Sequence, residues 1–422
     1  MAVRGVGVLA GLVTVPLLLD FLGKERFGLW TAITTLVTWA TLFDLGLSNG
    51  LGNLISRAHG RDDPAEARDA FATAFVCLLL VALVLGVAVA VALPVVPWSS
   101  FLGAKGIVDE STVRWSVAAA LGSFLVGLPL ATVPQVYAGY QRTYVTNAFS
   151  LVGTVVGVVA LVTAIRLGAS MPVLVLCLSS VGVVGAGLAL LFARRAFPWI
   201  RVRLVHLSRS ALNALAARSV PIFLFQIGAL MVNEAQVLIL ARRSGLSTVA
   251  DYAVVLRLYV VIVGLIQLGT SSFLPPLREA HDRGDRAWAL RAFRHLRMFR
   301  MAMAVVGALG LVVVGDLVLR VWLGRSDMAF GLRVWGPLAV LMVATVWATV
   351  YVEFLWIMDR LWPLVGTVLL NGATTIGLTW WLAPTNGVSG AVVASTAFTL
   401  LASSWVLPLL ARPLLLSRIE AG

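Results

Sequence analysis

Charge is scarce in this sequence, and what there is comes largely from arginine. Asp, Glu, Lys and Arg make up 12% of the 422 residues, about half the share usual in soluble domains. Lysine occurs twice, at Lys24 and Lys105. Neither stands in the GxxxxGKS or GxxxxGKT loop that cradles nucleotide phosphates, so ATP is not expected as a direct power source. Cysteine also occurs twice, at Cys77 and Cys177, each inside an apolar run. Both read as small core residues and not as a disulfide. The four histidines, His59, His206, His281 and His295, lack metal-ligand spacing. No Ser, Cys or Thr sits in a recognisable nucleophile setting. Gly5 to Ala10 fits a GxGxxA dinucleotide pattern in letters only, because no strand precedes it and the run around it is apolar. The expectation is a protein that is not an enzyme and needs no metal or other cofactor.

Apolar residues, by contrast, fill 60% of the chain, and the mean hydropathy is +0.97. Soluble domains hold about 45–50%. Apolar runs of about 20 residues recur along the whole length, each long enough to cross about 30 Å of hydrocarbon as a helix. They do not alternate with period two, as barrel strands would, so the expected class is an all-α integral membrane fold. About twelve transmembrane helices are predicted, roughly 3–22, 28–55, 70–94, 113–138, 144–166, 172–193, 214–241, 249–277, 293–319, 334–358, 363–383 and 389–411. The second, eighth and ninth are long and are expected to tilt or break. Pro16, Pro129, Pro134, Pro221, Pro275 and Pro276 lie inside helices or at their ends and predict kinks. The start resembles a signal peptide in outline, yet no small-x-small cleavage pattern precedes Lys24, so a first membrane helix is expected.

One stretch occurs twice. FGLWTAITTLVTWATLFDLGLSNGLGNLISRAHGRDDPAEARDAF, from Phe27 to Phe71, returns about 222 residues later in degraded form. The copy is DYAVVLRLYVVIVGLIQLGTSSFLPPLREAHDRGDRAWALRAF, from Asp251 to Phe293, with Ala58-His59 against Ala280-His281. Such internal repeats of apolar spans mark membrane transporters. The expected organisation is an N-terminal six-helix bundle over 1–200, a cytoplasmic linker over 201–213 and a C-terminal six-helix bundle over 214–422.

The net charge of +13 would suggest nucleic acid in a soluble protein. Here it follows the positive-inside rule instead, and no nucleic-acid partner is expected. With the N-terminus inside, 21 Lys and Arg residues fall on the inner side and 10 on the outer, with Arg257 within a span. Both termini are therefore placed in the cytoplasm of a multi-pass protein. Trp30, Trp98, Trp115, Trp199, Trp322, Trp335 and Trp362 near span ends fit an interfacial belt. The segment Arg194 to Arg218 reads either as a solvated linker or as one lying on the inner surface against anionic lipid.

Ionisable residues inside spans each cost about 2.5–3.5 kcal/mol at mid-helix and ask for a reason. Asp44 lies deep in the second span, followed by the small and polar run Gly46, Ser48, Asn49, Gly50, Gly52 and Asn53. Two readings stand: Asp44 lines a wet cavity or binds a coupling cation, or it caps or pairs to hold helices together. Glu234 and Arg257 fall at similar depth on the seventh and eighth spans. They are a structural ion pair, or cavity groups in which Arg257 meets a phosphate and Glu234 exchanges with it or with a cation, or else they snorkel. Arg4 either snorkels or meets an anionic headgroup at the inner mouth. Asp20 and Glu353, near span ends, are read as snorkelling. The GxxxG at Gly153 to Gly157 predicts close packing within the core.

PLLLDFLGKERFGLW from Pro16, DLGL at Asp44–Leu47 with Asn49 beyond it, YAGYQRTYVTNAFSLVG from Tyr137, and VADYAVVLRLY from Val249 together resemble oligosaccharide flippases. These form the polysaccharide transporter branch of the multidrug/oligosaccharidyl-lipid/polysaccharide exporter superfamily. The resemblance covers nearly the whole chain and rests on the joint order of the four segments. It implies two bundles around a central cavity, alternating access, and a polyprenyl-diphosphate-linked oligosaccharide as cargo in a bacterial cytoplasmic membrane. It also implies membrane lipids, a polymerase, glycosyltransferases and a coupling proton or sodium ion as partners. A cytoplasmic stub before the first helix is missing, so a miscalled or trimmed start is expected. Two other readings are a multidrug or organic-cation antiporter of the same superfamily and a non-transporting scaffold for glycosyltransferases. The lack of an acid cluster around Glu234 argues against the antiporter.

Overall fold

The computed structural model describes residues 2–200, 207–270, 276–277, 279–280, 283, 285–325, 328–358 and 360–416. Among them regular backbone is helical throughout, and no strand occurs. The chain is an all-α integral membrane protein, as its apolar runs predict. It divides into two compact units, Met1–Gln226 and Ile227–Gly422.

The first unit holds α1 (Ala2–Leu22), α2 (Lys24–Ala40), α3 (Leu47–Gly60), α4 (Pro64–Val95) and α5 (Glu110–Leu130). It continues with α6 (Thr132–Gly139), α7 (Thr143–Arg166), α8 (Met171–Ser179) and α9 (Val181–Ala196). The boundary between units falls within α10 (Arg209–Asn233). The second unit holds α11 (Ala235–Arg243), α12 (Leu246–Thr270), α13 (Arg286–Leu323), α14 (Leu332–Ile357), α15 (Leu361–Phe398) and α16 (Ser404–Leu416). A π turn, Thr399–Ser403, joins the last two.

Nine helices among the described residues are long and apolar enough to cross a membrane, with Ala10–Leu22 a shorter apolar helix beside them. The second predicted span is no single helix. It breaks at a 3-10 turn, Thr41–Asp44, followed by Leu45 and Gly46 with φ of 53° and 73°. The left-handed region costs a glycine little, and Gly46 lets the chain turn into α3. The last two predicted spans run together over Leu361–Pro413, bent at Gly387 with φ 51° and ψ −124°, a backbone only glycine holds readily. The ninth is longer than its apolar core. α13 has 38 residues, about 57 Å of helix against about 30 Å of hydrocarbon, so its basic first turns project beyond the apolar layer. Pro129 stands at the end of α5, just before the offset into α6, and Pro16 and Pro221 are inside α1 and α10. Pro134 is inside α6. Pro275 and linker residues 201–206 lie outside the described residues.

The repeat has a structural counterpart at its helix starts. Asp63 accepts hydrogen bonds from the backbone N–H groups of Ala65 (3.0 Å) and Glu66 (2.9 Å), with Pro64 opening α4. Asp285, 222 residues on, accepts from the Trp288 N–H (3.1 Å) and opens α13. Each carboxylate satisfies an N–H that the first turn leaves without a partner. Carboxylates also tie down the loop that follows α4 and the loop that follows α13. Glu110 accepts from the N–H groups of Trp98 (2.7 Å) and Ser99 (2.9 Å). Asp316 accepts from Phe330 N–H (2.9 Å), Gly331 N–H (3.1 Å) and the Trp335 indole (2.8 Å). Asp109 caps α5, and hydrogen bonds from the Ser111 hydroxyl and the Thr112 N–H hold its carboxyl at about 2.

Glycine sets the closest approaches. A Cβ on Gly153 would stand 2.6 Å from the Val181 carbonyl oxygen, and one on Gly157 would collide with the Val181 side chain. The GxxxG face is thus packed against α9 inside the first unit, as predicted. In the second unit a Cβ on Gly228 would stand 2.6 Å from Val368 Cγ1, and one on Gly372 2.5 Å from Met231 Cβ. Dispersion gained across such contacts holds apolar helices together where lipid leaves no hydrophobic drive between them.

Candidate functional site

In the first unit the polar candidates gather around the broken second span. Asp44 ends the 3-10 turn and its Oδ1 accepts a 2.6 Å hydrogen bond from the Ser48 hydroxyl in the first turn of α3. Ser48 itself is buried. A carboxylate at a helix start also meets the positive end of the helix dipole. The contact joins the 3-10 turn to the start of α3 through two side chains. Thr31, Thr34, Thr38 and Thr41 along α2 each donate to a carbonyl three or four residues earlier, so their hydroxyls need no water. Asn53 is exposed on α3, whereas the side chains of Asn49 and Arg4 lie outside the described residues. Sequence reading missed Gln135: a Cβ on Gly52 would stand 2.8 Å from its Oε1, which places an amide from α6 directly on α3. The signal was a glutamine inside an apolar run, in ATVPQVYAG.

The Asp44 turn borders a cavity of about 520 Å³ within the first unit. Its walls include Trp39, Leu42, Phe43, Leu45, Phe101 and Phe124. A second cavity of about 540 Å³, in the other unit, is walled by α13, α14 and the turn into α16. Both linings are aliphatic and aromatic almost throughout, so they suit hydrocarbon chains and not hydroxyl-rich sugars.

In the second unit Glu234 sits at another helix break, between α10 and α11. Sequence reading takes Glu234 and Arg257 as a structural ion pair, as cavity groups or as snorkelling residues, and among the described residues no ion pair joins them. Arg257 lies on α12, five residues beyond the buried Tyr252, about 7.5 Å up the helix axis. Arg257 stands about 16 Å from the start of α12 by helical rise. Its Nε is buried with no hydrogen-bond partner among the described residues. Next to Glu234, the buried Gln236 amide donates to Ser395 Oγ on α15.

Glu353 does not snorkel. Its Oε2 accepts a 2.7 Å bond from Arg300 Nη1, in an ion pair whose arginine is 1% exposed. Arg300 Nε also donates to Thr270 Oγ1 at 2.6 Å, while Nη2 is buried without a partner. One turn earlier on α13, Arg297 donates to Tyr351 Oη at 3.0 Å and lies 5.5 Å above the Trp347 ring. Counting Arg297 and Arg300 among inner-loop arginines hid this cluster. Its partners come from α12 and α14, far away in sequence.

A family model described as polysaccharide biosynthesis protein matches residues 1–281, about two thirds of the chain. The chain belongs to that family. A Yersinia pseudotuberculosis member, named provisionally for O-antigen export, is 21% identical over 412 residues, covering 96% of this chain and 92% of its own. Among solved structures, the lipid II flippase MurJ in an inward closed conformation gives a TM-score of 0.71 at 11% identity, over 97% of this chain and 87% of its own. A MOP superfamily transporter from Pyrococcus furiosus gives 0.68 at 14%, over 98% and 93%. An inward-facing MATE multidrug transporter gives 0.66 at 14%, over 97% and 98%. Identities this low speak for the fold alone. This member of the polysaccharide biosynthesis protein family is a multi-pass membrane protein whose fold is similar to that of these solved structures. Among its described residues no group of three or more His, Cys, Asp or Glu gathers as a metal site.

Proposed function

We propose that the protein flips a polyprenyl-diphosphate-linked oligosaccharide across a bacterial cytoplasmic membrane, for surface polysaccharide synthesis, with both termini in the cytoplasm. The observation that carries this reading over an organic-cation antiporter is Arg257. A guanidinium whose buried Nε has no hydrogen-bond partner among the described residues, about 16 Å along a membrane helix, repels cationic cargo and favours a phosphate. The relative named for O-antigen export supports the same class of cargo.

The cargo head carries many hydroxyls and about two negative charges, and burying each unpaired polar group in hydrocarbon costs several kcal/mol. A polar path through the protein removes that cost while the tail stays in lipid. The inside-negative potential drives anions outward by about 2.3 kcal/mol per charge per 100 mV. Alternating access between two six-helix bundles, 1–200 and 214–422, supplies the path, and Asp44 or Glu234 carries any coupling proton or sodium ion. Polymerase and glycosyltransferases of the same pathway are the expected partners.

The test is complementation in a strain that depends on this gene for surface polysaccharide. Arg257→Ala is expected to lower polymer at least about tenfold, the loss of one charge-assisted hydrogen bond, with inner-face lipid-linked sugar accumulating. Arg257→Lys is expected to restore part of it. Full polymer from Arg257→Ala removes this residue from the mechanism, and drug efflux without sugar accumulation selects the antiporter.

A further inference from the structure

The groove in the second unit has one basic end. Its apolar walls include Val305 and Leu309 of α13, Val340, Val343 and Trp347 of α14, and Trp405 of α16. The wall's polar atoms are occupied. Ser404 accepts from the Trp347 indole at 2.9 Å and donates to the Thr399 carbonyl at 2.8 Å. The π turn Thr399–Ser403 forms part of the same wall, and such turns recur at functional sites. Leu309 and Trp405 are 60% and 70% exposed, so the trough is open along its side.

Met301 of the groove lies one helical turn beyond Arg297, whose guanidinium rests over the groove's own Trp347. Arg297 has no carboxylate partner among the described residues; its acceptor is Tyr351 Oη. Beside it Arg300, 1% exposed, keeps Nη2 free of any partner although Glu353 holds Nη1. A buried guanidinium edge without an acceptor costs free energy unless an anion completes it. An apolar trough with the Arg297 guanidinium over one of its walls matches the charge and polarity of a lipid with one long chain and a phosphate head.

We infer that this groove, between α13, α14 and α16, holds the polyprenyl chain of the carrier lipid while Arg297 meets its phosphate. The inference rests on the flippase reading and adds the place where the tail rides.

The experiment uses the full-length protein in lipid nanodiscs with a photoreactive polyprenyl monophosphate. Labelled residues are mapped by mass spectrometry, with unlabelled polyprenyl phosphate, polyprenol and phosphatidylglycerol as competitors. Labelling is expected on α13, α14 and α16, competed by polyprenyl phosphate and about tenfold less by polyprenol, which lacks the charged acceptor. Arg297→Gln is expected to weaken competition to a similar degree, and Leu309→Trp, which fills the open side, to abolish groove labelling. If Leu309→Trp does not fold, Arg297→Gln and the labelling map still decide. Equal competition by phosphatidylglycerol makes the groove an ordinary bilayer-lipid site and overturns the inference, as does cross-linking of two copies through this face. Specific labelling elsewhere on the chain overturns the groove and leaves the flippase reading standing. No specific labelling at all overturns both.

Discussion

Arg300 is nearly dry, and among the described residues only Glu353 balances its charge. Removing one partner of a buried pair leaves an uncompensated charge, at a cost of about 3–5 kcal/mol, whereas replacing both with apolar groups is often neutral. Arg300→Ala is accordingly expected to lower the melting temperature of the purified protein sharply. The double variant Arg300→Met with Glu353→Leu is expected to recover most of that loss. Asp44 works through a different contact, its hydrogen bond with Ser48. Asp44→Ala is expected to cost about 1 kcal/mol, as lost helix caps do. Asp44→Asn keeps an acceptor and is expected to hold stability, so its transport activity reads the charge alone. Wild-type transport by Asp44→Asn makes Asp44 a cap and nothing more. Of these residues the sequence exposed the ionisable ones, because a charge in an apolar run is visible by contrast. It could not show that Glu353 would pair with Arg300, 53 positions away, or that the Arg257 Nε would be buried without a partner among the described residues.

At the level of elements, backbone breaks decide where polar groups sit. Asp44 and Glu234 both occur where a membrane helix stops and restarts. A break frees backbone N–H and C=O groups that lipid cannot satisfy, so polar side chains accompany it. The close seams obey the opposite demand, for the smallest residues. Gly157→Leu would drive a side chain into Val181, and overpacking of this kind costs about 1–3 kcal/mol. The expected outcome is a lower melting temperature for Gly157→Leu. Gly187 has open space where a Cβ would stand, and Gly187→Ala is expected to change stability little. The second span's break was anticipated from its length, and Gly46 marked the place. The predicted spans 363–383 and 389–411 leave Gly387 between helices, where the structure has one bent run.

Across the whole molecule, the repeat and the arginine bias make one joint prediction about sidedness. The arginine count predicts the loops before the Asp63 and Asp285 caps on the inner side, and the loops closed by Glu110 and Asp316 on the outer. The sequence has only Cys77 and Cys177, both partly buried, so single added cysteines report with little background. In intact cells, Asp62→Cys and Arg283→Cys are expected to resist an impermeant thiol reagent until the membrane is opened. Lys105→Cys and Arg333→Cys are expected to react at once. The reverse pattern would invert the topology.

Composition and the period of the apolar runs by themselves determined that this is a helical membrane protein, and the 222-residue offset determined that one pattern serves both parts of it. Those properties depend on the solvent around each helix, which a local window of sequence records. Tertiary structure alone decided which charges are paired, which glycines touch, and where an apolar groove meets a guanidinium. Such contacts join residues tens of positions apart, and a hydrogen bond is made or lost over an ångström that no spacing in the chain encodes.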